Sequence, residues 1–378
     1  MPEIYKGRGN SAMREDYIDF INYVFGFNGT KDDFVKLLPK LYKPEYLPCE
    51  NNYVVTEDGK LKAAIGVYPR ELDVMGTKLK FHGVGNVAVH PYSRSKGYMR
   101  ELLGTAVRDM ISSGADMSDL GGLRQRYGYF SYEVASAVMK FSITPTSLRH
   151  SFDGIGLSPL DFTEVKEGDD ETLDLIASLH VKKPSHMVRP RESFLDIAHS
   201  WNRRLYAIFD GGRFIGYYID KLVELTLADI ADFDRVVRNF VAKNGSVTLT
   251  LPLFETGMIK AAERICDDVT MANDQNYTVF HWKKVIGAFM RLKAASSRIP
   301  DGERSYLVHG VAGDEFFTIT VRNGLPEIKE VTGAEIIELE HKEAVAYFFG
   351  LVSPGRFADG LAASWFPLPL FVDSADHV

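Results

Sequence analysis

Asn86-Val-Ala-Val-His-Pro-Tyr-Ser-Arg-Ser-Lys-Gly-Tyr-Met99 is the stretch on which the fold turns. Val87, Ala88 and Val89 form an apolar, strand-like run that stops at His90-Pro91. A loop holding Arg94, Ser95, Lys96 and Gly97 leads straight into Tyr98, Met99 and Arg100. There Met99, Leu102, Leu103, Ala106, Val107 and Met110 keep a 3.6-residue period until Gly114. A helix N-terminus offers unpaired N–H groups and partial positive charge, which suits an anion such as phosphate. Gly97 permits close backbone approach, and Arg94 and Lys96 add charge. A basic loop before a helix is often only a solvated turn; the strand–loop–helix spacing favours the anion site here.

Working outward, Tyr17, Phe20, Ile21 and Val24 make one apolar helical stripe, which Gly26 can end. Residues 54–67 read as two strands around Asp58-Gly59, and 78–89 as a third. A short strand at 117–120, the pair Gly121-Gly122 and a strand at 134–143 complete a first segment, 1–145. In 146–285, LYAIFDGGRFIGYYI (205–219) echoes YVVTEDGKLKAAIGVY (53–68), with the turn placed at Asp210-Gly211. A helix (Phe233, Val236, Val237, Phe240, Val241) and a strand (247–253) follow in the same order, which points to a duplicated domain. In 286–378, strands are expected at 306–311 and 316–322 with a hairpin at Asn323-Gly324; 335–340 reads as a strand or a helix start. The tail Trp365-Phe-Pro-Leu-Pro-Leu-Phe371 is too apolar to float free and is expected to pack. The fold class is therefore mixed, α+β.

Composition narrows function. The chain has 378 residues, 45% hydrophobic and 25% charged, with 44 basic and 51 acidic side chains for a net charge of -7. This is the balance of a folded chain, too acidic overall to suggest nucleic acid. Two cysteines, Cys49 and Cys266, exclude a disulfide scaffold. The histidines show no metal-ligand spacing, so no metal is expected. No apolar run nears the ~20 residues of a membrane span, and Met1-Pro2-Glu3 does not open a signal peptide, so a cytoplasmic protein is expected. Gly83-Val-Gly85 lacks the third glycine of a dinucleotide fingerprint.

Arg94-Ser-Lys-Gly97-Tyr-Met99 resembles the (Arg/Gln)-x-x-Gly-x-(Gly/Ala) loop of GNAT acyltransferases, with Met99 in place of the last small residue. The resemblance implies that Val87, Ala88 and Val89 are the splayed strand that pairs with the pantetheine arm of acetyl-CoA, and that the loop through Arg100 holds its pyrophosphate. The whole chain is similar to the branch containing the enhanced intracellular survival protein. That branch has two GNAT units, the second degenerate, then a sterol carrier protein-like domain; it implies a homo-oligomer, a hexamer. Arg124-Gln125-Arg126-Tyr127-Gly128-Tyr129 resembles the family's Tyr-Gly-Arg-Phe-Gly-Tyr, which makes Tyr129 the general acid and places Arg124 and Gln125 on coenzyme A. A thiolate leaving with pKa about 8.5 can take a proton from a tyrosine near 10.

In the resembled branch a terminal carboxylate folds into the site as base; here it would belong to Val378. With an α-carboxyl pKa near 3.3–3.7 it is ionised at neutral pH and gains basicity on desolvation. A frayed tail is the open alternative. A Val89 N–H left free at the strand end would hold the oxyanion, worth ~3 kcal/mol in related sites. The resulting expectation is acetyl transfer from acetyl-CoA to a small-molecule or peptide amine, bound in a cleft whose acidic balance suits a cation. Transfer of another acyl group, or non-enzymatic binding of coenzyme A or an apolar ligand, stand as alternatives.

Overall fold

The computed structural model describes residues 2–27, 29, 33–329 and 335–378. The first segment supplies strands β1 (Ile4–Arg8), β2 (Asn52–Glu57), β3 (Lys60–Val74), β4 (Thr77–Val89), β5 (Met117–Leu120) and β6 (Glu133–Ile143). The second supplies β7 (Asp161–Glu164), β8 (Ser185–Met187), β9 (Leu205–Asp210), β10 (Arg213–Ile219), β11 (Glu224–Leu227), β12 (Val247–Pro252) and β13 (Asp268–Val279). The third supplies β14 (Gly302–Gly310), β15 (Gly313–Arg322), β16 (Leu325–Lys329) and β17 (Ile336–Glu340). The fold class is the expected mixture of helices and mixed sheets.

A nine-stranded sheet runs β1-β2-β3-β4-β5-β13-β6-β12, with β8 paired to the far part of β3. β13 slides between β5 and β6, so the first two segments share one sheet. Only β4 and β5 are parallel in this sheet among the described residues. A parallel pair needs a crossover, and helix Tyr98–Ser112 is that crossover. Its buried stripe, Tyr98, Leu102, Leu103, Ala106 and Met110, follows the expected period and covers one sheet face. Helix Arg14–Gly26 covers the other with Tyr17, Phe20, Ile21 and Val24.

A second sheet, β11-β10-β9-β7, carries the echoed hairpin. Asp58 and Gly59 take φ of 48° and 74° at the β2–β3 turn, the left-handed pair such a turn requires. In β9–β10, Asp210 is still paired with Arg213, and the turn residues are Gly211 and Gly212, with φ of 55° and 87°. The expected Asp210-Gly211 turn is thus one residue early, because Gly212 supplies the second left-handed position more readily than an aspartate supplies the first. Each hairpin carries a bulge three residues past its second turn residue, at Lys62 and at Ile215. Each bulge carbonyl accepts the N–H of the residue that follows a later strand: His90 after β4, Ala228 after β11. This shared irregularity supports duplication better than the turn dipeptide does.

The third sheet runs β16-β15-β14-β17, with β14 and β17 parallel. Asn323 and Gly324 turn β15 into β16 with φ of 53° and 74°. Residues 336–340 are a strand, and helix His341–Phe349 starts directly after it. Cys266 lies just beyond helix Thr256–Glu263. Trp365, Phe366, Leu368, Leu370, Phe371 and Val372 of the tail are buried in the core that joins the third sheet to the first. Phe348 sits amid that core, its ring 5.1 Å from those of Tyr306 and Phe366. Phe348→Ala should cost about 3–5 kcal/mol of unfolding free energy by equilibrium urea denaturation, the usual range for a buried phenylalanine; a loss under about 1 kcal/mol would mean the cluster is not a packed core.

Candidate active site

The site begins where β4 leaves β5. Their pairing ends at Val84–Leu120. Asn86 then bulges with φ of 52°, and the β3–β4 register slips between Gly85 and Ala88. The Asn86 amide is tied to the Tyr68 hydroxyl at 2.9 Å. Beyond the bulge Ala88 and Val89 pair only with Ala64 and Ala63 of β3. The His90 N–H donates to Lys62 O at 2.8 Å, so by strand alternation the Val89 and Val87 N–H groups point away from β3, into the opened gap.

The loop arrives on that gap. Ser95 and Gly97 have φ of 68° and 82°. Gly97 is the N-cap of helix Tyr98–Ser112 and has no side chain to cap the first N–H groups. A Cβ on Gly97 would meet nothing within 4 Å, so backbone conformation and an open approach, not crowding, explain the glycine. Arg94 lies over the Phe27 ring at 5.9 Å. Lys96 pairs with Glu57 at 2.7 Å, and the Tyr98 hydroxyl donates to the same carboxylate. Ser95 and Arg100 are exposed.

A cavity of about 510 Å³ lies here, lined by Val24, Phe25, Val87, Val89, Arg94, Met99 and Arg126. Four of the expected residues therefore meet around one space. Ala88 faces away, into the core under helix Arg14–Gly26. Arg124 forms a two-pronged pair with Glu133, and Gln125 is exposed. Tyr129, on the short turn Gly128–Phe130, is 84% exposed and lines neither this cavity nor the next; Tyr127 is buried.

A second cavity of about 510 Å³ lies on the side of the sheet that helix Arg14–Gly26 covers. Lys40, Tyr68, Arg70, Glu71, Asp376 and Val378 are among its walls, so charges of both signs meet there rather than the acidic balance anticipated from net charge. Net charge is a whole-surface sum and does not set the sign of one cleft. The final residues are folded in. A Cβ on Gly83 would lie 2.7 Å from Val378 Cγ2, and one on Gly85 would lie 2.9 Å from the Val378 carboxyl carbon. The two glycines that fit no dinucleotide motif thus form a flat seat beneath Val378.

Arg70 and Asp119 complete this face. Asp119, buried in β5, accepts from Arg70 at 2.6 Å and meets His377 Nδ1 at 2.8 Å. Burial raises the Asp119 carboxyl, but Arg70 and His377 outweigh it and hold it below the usual range. Burial likewise lowers His377, but Asp119 and Asp274 carry the imidazolium up to about 9. Burial brings the Lys40 ammonium down to about 7; it donates to the carbonyls of Ala375 and His377. Neither Arg70 nor Asp119 has a motif. A lone charge in a short, buried strand is the signal available for Asp119.

Residues 8–135 match the family model described as an acetyltransferase (GNAT) domain. A comparison with curated proteins found no match. Among solved structures, a conserved protein of unknown function from Enterococcus faecalis, described as a probable N-acyltransferase, matches with TM-score 0.67 at 13% identity over 100% of both chains. A GCN5-related N-acetyltransferase from Anabaena variabilis matches at 0.65 and 14% over 98% of each chain. Eis1 from Mycobacterium abscessus matches at 0.60 and 12% over 100% of each. At such identities the likeness is one of fold. The domain marks the chain as an acyltransferase, and acetyltransferases of this family use acetyl-CoA and amine acceptors. No helix among the described residues is long and apolar enough to cross a membrane.

Two outcomes follow from the geometry. Because His377 titrates higher folded (about 9) than unfolded (about 6.5), its stabilisation is complete below about pH 6.5 and is lost as pH rises through about 9. The gap in Tm between the parent and His377→Asn should therefore be wide at pH 6 and narrow by pH 10; an unchanged gap would refute the His377–Asp119 pair. Gly85→Ala should displace Val378 and lower kcat at least ~10-fold with acetyl-CoA affinity within ~2-fold by calorimetry; full activity would mean that the seat does not matter.

Proposed function

We propose that the chain transfers an acetyl group from acetyl-CoA directly to a primary amine of a small molecule or peptide. The observation that carries this reading is the parting of β4 from β5 with the loop–helix junction on it: unpaired Val87 and Val89 N–H groups beside an uncapped helix N-terminus. Val87 and Val89 pair with the pantetheine arm. Arg94, Ser95, Lys96, Gly97, Tyr98, Met99 and Arg100 form the pyrophosphate turn, where backbone N–H groups and the helix dipole do the holding. Lys96 leaves Glu57 for a phosphate oxygen when the coenzyme binds.

The amine approaches from the cavity beside Val378. Its lone pair attacks the thioester carbonyl carbon, and the Val89 N–H donates to the oxygen that becomes an anion. The carboxylate of Val378, desolvated against Gly85, takes the proton from the attacking nitrogen. As the tetrahedral centre collapses the C–S bond breaks, and the thiolate receives a proton from Tyr129. Tyr129 is exposed and lines neither cavity, so this role requires its ring to turn onto the bound thioester. No covalent enzyme intermediate is needed. The second unit is read as a GNAT-like unit without a coenzyme loop, and the third, one four-stranded sheet with its helices, as sterol carrier protein-like.

Calorimetric titration with acetyl-CoA tests the coenzyme site; no heat with any acyl-CoA would end the reading. Tyr129→Phe should lower kcat by ~10²-fold or more while acetyl-CoA affinity changes less than ~2-fold. Unchanged turnover would remove Tyr129 as the acid.

A further inference from the structure

Residues 366–378 belong to no helix or strand, so side chains from elsewhere must satisfy much of their backbone. Followed from Phe371, the path of this segment leads through the second unit. Phe371 and Asp373 line a gap between β11 and β12, which do not pair, together with Lys183, Leu225, Leu249 and Met258. Only about 20 Å³ of it stays open, room for about one water.

The matched bulges show what this gap is. Ala228 bonds to the Ile215 carbonyl as His90 bonds to that of Lys62, so β11 stands in its unit where β4 stands in the first. The gap beside β11 is the counterpart of the one where β4 leaves β5. Its following loop, Ala228, Asp229, Ile230, Ala231 and Asp232, has no glycine and no basic residue, but two carboxylates. It repels phosphate, and the gap is already filled.

The next residues are gripped in turn. Lys183 pairs with Asp373 at 2.5 Å, and Arg203 donates to Ser374 at 3.0 Å. Ala375 is buried in the second unit's own core. Arg189, with no exposed side-chain surface, bridges two carboxylates: Asp376 at 2.9 and 2.7 Å, and Glu224 of β11 at 3.2 and 2.7 Å. Trp201 reaches the His377 carbonyl at 3.3 Å. Val378 follows on its glycine seat in the first unit.

We propose that the second unit anchors the final segment, with Arg189 as the positioning residue that sets Val378 in the first unit's cleft. The unit's own gap takes up Phe371 and Asp373, and Arg189 ties Asp376 to β11. The catalytic consequence rests on reading Val378 as the base; the anchoring does not. The test compares the full chain with Arg189→Met and Arg189→Lys by hydrogen exchange and steady-state kinetics. In Arg189→Met, peptides covering 373–378 should exchange ~10-fold faster or more while helix Tyr98–Ser112 stays protected. Its kcat should fall ~10-fold or more with acetyl-CoA KM within ~2-fold, and Arg189→Lys should recover part of both losses. Unchanged exchange in 373–378 overturns the proposal, even if kcat falls. If Arg189→Met does not fold, Trp201→Phe decides: it removes one donor to the segment and should speed exchange there ~3-fold, and no change overturns the anchor. Removing Val378 alone separates the two readings: full activity defeats the base while leaving the exchange result to judge the anchor.

Discussion

The parting of β4 from β5 is the constraint on which the site depends. A strand within a sheet spends its N–H groups on both neighbours. Here the Asn86 bulge, held by Tyr68, turns β4 off its parallel partner after Val84. The Val87 and Val89 amides lose their β5-side partners, and the helix that follows begins with a glycine that cannot cap it. Several donors with no sheet or capping partner among the described residues thus converge on one cavity. An acyl-CoA has the matching parts: amides along its arm, a diphosphate at the turn, and a thioester oxygen that gains charge in transfer.

The second cavity meets a different requirement. Asp119 and His377 are buried with Arg70, and none could be buried alone at tolerable cost. The Asp119 carboxylate faces both cations, with Asp274 also beside His377, which ties β3 and β5 to residues more than 250 positions away in sequence. The segment after Phe366 contributes to three cores: Leu368 and Leu370 to the one shared with the third sheet, Ala375 to the second unit's, and Val378 to the one beneath helix Arg14–Gly26. In effect it laces the units together, although it has no regular structure itself.

Much of the architecture was legible beforehand. The helix at 98–112, the β2–β3 hairpin and the Asn323-Gly324 turn follow from period and turn chemistry, which act within a few residues. The hairpin of the second segment differs for an equally local reason. The Asp210-Gly211 turn was misplaced because Gly211-Gly212 offers a better left-handed pair. The choice between strand and helix at 335–340 needed β14 as a partner. Arg124 pairs with Glu133, nine residues on, a partner that its motif does not reveal.

By itself the sequence determined the strand–loop–helix unit with Gly97 at its joint, the apolar faces of the helices, and the need for the Trp365 tail to be buried, because each depends on short-range periodicity, on backbone conformation or on side-chain hydrophobicity. Only the tertiary structure decided where the tail is buried, that β13 enters the first sheet, that Gly83 and Gly85 are a seat, and that Arg189 joins Glu224 to Asp376. Those contacts pair groups far apart along the chain, and long-range charge and space complementarity leave no period to read.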